Sequence, residues 1–215
     1  PKIPTDFDTS TKEVVIYPDY KDVVIPPNIA PLNFIIKENG KEFIIVYKDA
    51  DKKVLLTEQA NKDAKVQIEE SKWKELLKSN KGKDIYVEIF AKSGNRWIKY
   101  PEYKLTIANE PIDSYISYRL IEPGYEMYRQ LGLYQRNLTN FDVYTIYENN
   151  RTYEDENNHC INCHNYQTYS TKSMLFHVRG SHGGTILANN GSIRKINMKN
   201  DSVLSSTVYP SWHSR

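Results

Sequence analysis

The 215-residue chain holds only two cysteines, and they stand three apart with a histidine directly after them: Cys160-Ile161-Asn162-Cys163-His164. No other short stretch constrains the chain as much. C-x-x-C-H is the spacing of covalent c-type haem attachment. Two thiols so placed can join the two vinyl groups of one porphyrin, and the next imidazole can reach the iron as an axial ligand. The expectation is one haem c, tethered by Cys160 and Cys163, with His164 as the proximal iron ligand. Three other readings share the motif. A thioredoxin-like pair needs a βαβ setting, which is not visible here. A structural zinc site needs four ligands, which Cys160, Cys163, His164 and one of His159, His177 or His182 could supply. A plain disulfide is the third.

Composition bounds the surroundings. Hydrophobic residues make up 39% and charged residues 26%, which suits a packed globular chain and not a disordered one. The net charge of +2 and the absence of a long basic run imply no nucleic-acid-binding face. No apolar stretch is long enough to span a membrane as a helix. The chain opens Pro1-Lys2-Ile3-Pro4, which reads as a processed start or as a boundary cut within a longer chain. Covalent haem attachment implies assembly outside the bacterial cytoplasm, so an export signal would have been removed.

The pattern is mainly β. Val14 to Tyr17 and Val23-Val24-Ile25 read as short strands, and Pro26, Pro27 and Pro31 make the stretch between them and residue 32 a stiff edge or crossing segment. Leu32 to Ile36 and Glu42 to Tyr47 flank Asn39-Gly40 and predict a hairpin. Lys53 to Thr57 is a third strand, and Ala64 to Ile68 is short and alternating. Ser71 can cap a helix whose Trp73, Leu76 and Leu77 share one face, with Asn80 to Gly82 as its stop. Asp84 to Ala91, Arg96 to Tyr100 and Tyr103 to Ala108 complete the set, with Trp97 in a core. Six or more short strands separated by regular turns suggest an immunoglobulin- or fibronectin-like β-sandwich over residues 1–111. Glu110-Pro111 marks the boundary to a second part, 112–215.

In that second part Arg119, Arg129 and Arg136 alternate with Tyr118, Tyr128 and Tyr134. The stretch reads as a packed connector or as a source of an arginine for a haem propionate. A polar loop, 149–159, leads to the cysteines. Met174 to Arg179 reads as a strand, and Thr185 to Ala188 with Ile193 to Met198 as a hairpin around Asn190-Gly191. A last strand is expected from Val203 to Val208.

Several of these stretches together resemble a known family. Thr185 to Trp212, ending in Pro210-Ser211-Trp212, resembles one blade of a TolB-like β-propeller. Pro18-Asp19-Tyr20, Pro26 to Phe34, Ile112-Asp113, Tyr118 to Ile121 and Cys160 to His164 are similar to TolB-like propeller c-type cytochromes of Bacteroidetes-type bacteria. The resemblance implies an immunoglobulin-like N-terminal domain, a c-type haem module and a C-terminal propeller. The protein would be periplasmic, outer-membrane-associated or on the cell surface, and a lipid tether on the precursor stays open. A propeller needs several blades, and 215 residues reach only the start of the first, so no propeller function carries over.

The ligand opposite His164 could come from Met174, His177, His182, His213 or His159. Met174 and His177 are three apart on one strand and so face opposite ways. A histidine in an apolar strand needs a reason to be there, because its ring nitrogens need partners. His177 is therefore the expected distal ligand, with Met174 next. The function expected is electron transfer to or from a docked redox partner protein in the envelope, without a substrate pocket of its own. The alternative is a non-redox scaffold whose cysteines hold zinc or a disulfide. No Ser-His-Asp set, phosphate loop or H-E-x-x-H helix points to an enzyme.

Overall fold

The computed structural model describes residues 1–121, 131–149, 160–180, 182–203 and 208–213. The chain is mainly β: among the described residues there is a single α-helix and several open sheets. It divides into two compact units, Pro1–Tyr115 with Asn137–Asp142, and Ile116–Arg136 with Val143–Arg215.

The first unit is built around two long strands, β5 (Glu42–Lys48) and β8 (Asp84–Ser93), which pair antiparallel along their length. β5 carries an unbroken run of buried residues, Phe43 to Tyr47. An unbroken run is what a strand needs when both of its faces are covered. Phe43, Ile45 and Tyr47 enter the main core, while Ile44 and Val46 meet Phe90 on the reverse, where Ile3 and Trp97 pack.

The other edge of β8 is shared by two partners. Its second half pairs with β9 (Arg96–Lys99) and its first half with β10 (Tyr103–Ile107). Pro101 lies between those two strands, where a residue without an N–H cannot continue a ladder. β6 (Val54–Gln59) extends the sheet beyond β5. β1 (Phe7–Thr9) and β3 (Val23–Ile25) close it at its ends by parallel pairing with β9 and β10. The proline-rich stretch follows β3 at that edge, as its composition requires.

A smaller sheet of β2 (Ile16–Tyr17), β4 (Phe34–Ile36) and β7 (Lys65–Val66) lines the same core with helix α1 (Glu70–Ser79). The expected hairpin across Asn39-Gly40 is not formed. β4 pairs with β2 and β7, and β5 with β6 and β8. Side-by-side pairing would set Phe34, Ile36, Phe43 and Ile45 along a single sheet face and leave the core without its second wall. Gly40 serves close approach: a Cβ there would stand 2.9 Å from the Phe43 ring. The helix buries Trp73, Leu76 and Leu77 as expected, but its N-cap is Glu69, and Ser71 lies inside it. The Trp73 indole donates to the Ile29 carbonyl at 3.1 Å.

The second unit has two sheets around one core. One is β11 (Tyr115–Leu120), β12 (Gly132–Asn137) and β13 (Val143–Glu148). The other is an antiparallel meander of β14 (Cys160–Tyr166), β15 (Ser173–Arg179), β16 (Gly184–Asn189) and β17 (Ser192–Ile196). Leu131, Leu133, Ile161, Met174, Phe176 and Val178 form its centre. The β16–β17 hairpin forms as expected: Asn190 and Gly191 both have positive φ, 49° and 79°, which a tight two-residue turn requires. The strand expected from Val203 to Val208 lies largely outside the described residues. No described helix is long and apolar enough to cross a membrane.

One charge in the first unit is almost fully enclosed. Glu88 is 3% exposed, and Lys48 and Lys99 each reach its carboxylate at 2.7 Å. Burial alone would raise its pKa, but the hydrogen bonds and charges of the two lysines outweigh it and hold the carboxyl below its ordinary value. The stabilisation is therefore present above about pH 4 and is lost as pH falls through the depressed value. Glu88→Gln is expected to cost about 2 kcal/mol at neutral pH, with the gap closing in acid. Urea unfolding of both proteins across pH measures this; a gap independent of pH would contradict it.

Candidate functional site

The cysteine motif lies on strand β14; the polar loop expected to lead to it, 149–159, lies outside the described residues apart from Asn149. β14 and β15 keep register from Cys160↔Arg179 through Asn162↔His177, then resume at Asn165↔Leu175. Between those rungs β14 spends one residue more than its partner, which is a β-bulge. Cys163 occupies the bulge with φ of 62°, in the left-handed region.

The bulge decides the chemistry. In a regular strand, residues three apart point to opposite faces. The extra residue breaks that alternation. Cys163 comes within electrostatic range of Cys160, Arg179 and Arg119, so both thiols and two guanidinium groups share one neighbourhood. Burial pushes the Cys163 thiol above its ordinary pKa; the two arginines oppose the rise and Cys160 adds to it. Both cysteines are half-buried and unpaired. Among the described residues no three His, Cys, Asp or Glu side chains gather as a metal cage.

Register sorts the remaining candidates by face. Ile161 and Val178 face each other across the ladder within the core. Met174 is 7% exposed in that core, opposite Tyr166. His177 and Arg179 alternate to the other face and pair across with Asn162 and Cys160. They line a cleft of about 580 Å³ with Thr185, Asn197, Met198 and Lys199, within the range of small-ligand sites.

His177 is 6% exposed, and its Nδ1 lies 3.1 Å from Thr185 Oγ1. The Thr185 hydroxyl donates to Met198 Sδ at 3.3 Å, and a thioether can only accept. The threonine proton is thereby used, so its oxygen accepts from Nδ1–H. This sets the tautomer of His177. Burial, reinforced by Arg179, pushes its pKa down and keeps the ring neutral at pH 7.

Arg179 is the residue that sequence reasoning overlooked. Its Nε is buried without a hydrogen-bond partner, and the guanidinium lies 5.8 Å from the Tyr209 ring centre. It faces the motif because it pairs with Cys160. That relation was available only by folding 160–166 back on 173–179. Of the three arginines expected to serve a propionate, Arg119 acts on Cys163, Arg136 is exposed on β12, and Arg129 lies outside the described residues. His159 also lies outside them. His182 sits in the turn before β16, and His213 is exposed next to Trp212.

The thiol environment makes a prediction for haem-free protein. Cys163 should be alkylated several-fold more slowly than a free thiol at mildly alkaline pH, and Arg179→Gln should slow it further by removing a nearby positive charge. Peptide mass spectrometry of timed labelling reads both rates; an unchanged rate in the variant would remove Arg179 from the thiol's surroundings. The chain matches no protein-family model and no curated protein, so a functional reading rests on these residues themselves.

Proposed function

We propose that the chain is a monohaem c-type cytochrome module that passes electrons to or from a docked protein partner in the bacterial cell envelope. The observation that carries this reading is the bulge at Cys163. It brings two thiols three residues apart into one neighbourhood and places His164 directly after them.

The donor set fits the group. Cys160 and Cys163 would tether a porphyrin by thioether bonds and His164 would ligate its iron, so the three side chains need not converge on one point. A buried Arg179 Nε without an acceptor suits a propionate carboxylate, and Arg119 adds positive charge beside it. When bound, the haem supplies a one-electron iron couple. The chain's own residues would tether and orient it and neutralise its carboxylates.

On this reading the first unit is an immunoglobulin-like domain that positions the module or meets a partner. The β14–β17 meander would be the opening blade of a TolB-like propeller, since a propeller blade is a four-stranded antiparallel sheet. The site would work outside the cytoplasm, on the periplasmic side or at the cell surface. His177, the expected sixth ligand, pairs across the ladder with Asn162 of the motif, and its Nδ1 is engaged with Thr185 Oγ1. Met174 faces the core.

Co-expression of an exported form with c-type maturation proteins tests the proposal. Denatured protein should give a pyridine haemochrome spectrum of thioether-linked haem and an intact mass raised by one haem. Cys160→Ala with Cys163→Ala should abolish both. Bare polypeptide from the wild-type gene would overturn the electron-carrier reading.

A further inference from the structure

We infer that His213, carried by a strap of chain at Val208–His213, supplies the sixth ligand of the iron opposite His164. This rests on the haem reading above.

The strap is tied to the motif at both of its ends. Tyr209 lies under the Arg179 guanidinium, and Arg179 pairs across the ladder with Cys160. Trp212 donates its indole N–H to the Asn165 carbonyl at 3.1 Å, and Asn165 follows His164 directly. The segment therefore runs from the Cys160 end of the motif to its His164 end. It belongs to neither β14 nor β15, which is the property a trans ligand needs.

The strap meets β14 through a side chain: it reaches Asn165 by an indole N–H and not by a backbone ladder. His213 is the next residue after the anchor and is exposed. A side chain free in water and pinned by its neighbour beside an iron ligand is available for coordination at little cost to the fold.

Of the other described candidates, Met174 is packed among Leu131, Leu133 and Phe176, and the His177 Nδ1 is engaged with Thr185 Oγ1. Trp212 is in this account a positioning residue. It acts through its hydrogen bond to the strand that carries His164.

Ferric spin state read on haem-loaded protein by absorbance and electron paramagnetic resonance provides the test. Wild type should be low-spin. His213→Ala should turn it high-spin, and added imidazole should restore the low-spin spectrum. His213→Met should stay low-spin but with the charge-transfer band of methionine ligation and a higher potential. Trp212→Phe keeps the ring and removes the N–H; it should give a mixture of spin states. Met174→Leu, a volume-conserving core change, should leave the spectrum as in wild type. A high-spin wild type, a low-spin His213→Ala, or loss of low-spin character in His177→Ala or Met198→Leu instead would overturn the assignment. In each of those cases covalent haem is still present and the cytochrome reading stands. Absence of covalent haem overturns both.

Discussion

Pairing between β14 and β15, and the one residue by which it slips, underlies the second unit of this molecule. The ladder on either side of the slip is ordinary. Hydrophobic burial of Ile161, Phe176 and Val178 fixes which face looks inward, because moving a strand by one residue would expose that whole set. The irregularity is confined between two well-anchored stretches. It can therefore hold Cys163 in a left-handed conformation that a non-glycine residue adopts at a cost. The cost falls on the second cysteine of the C-x-x-C-H motif.

From that point the polar residues of the neighbouring strand acquire meaning. Arg179, His177 and Thr185 form a row across the sheet face away from the core, and each has a chemical restraint. Arg179 has a buried N–H without an acceptor, His177 has its tautomer set, and Thr185 donates its hydroxyl hydrogen bond to a sulfur. The strap at 208–213 crosses this face and is held by an aromatic contact and one indole hydrogen bond. The first unit solves a different problem. Two long strands are covered on both sides, and the one charge enclosed with them is shared between two lysines.

Much of the local structure was legible in advance. Trp73, Leu76 and Leu77 recur at helical spacing, and α1 buries those three. Asn190-Gly191 demanded positive φ, and the β16–β17 turn has it. Asp84 to Ala91 is too apolar and too β-branched to be anything but a strand. Where reading by local signals went astray, a layer of the fold overrode it. Asn39-Gly40 carries the signature of a hairpin turn, yet it links two sheets, because Phe34 and Ile36 are needed as the wall facing Phe43 and Ile45. Met174 and His177 were correctly separated onto opposite faces. Their distances from His164 depended on which strand lies beside β14, and no spacing along the chain contains that.

The order Cys-x-x-Cys-His, the β-rich pattern and the alternation along 174–179 are properties of the one-dimensional chain. They depend only on residue type and on the two-residue period of a strand. The bulge at Cys163, the approach of Arg179 to the thiols and the arrival of Trp212 beside Asn165 belong to three dimensions. They arise from pairing between segments tens of residues apart, and such pairing is selected by how the whole hydrophobic core closes, not by any preference of the residues that meet.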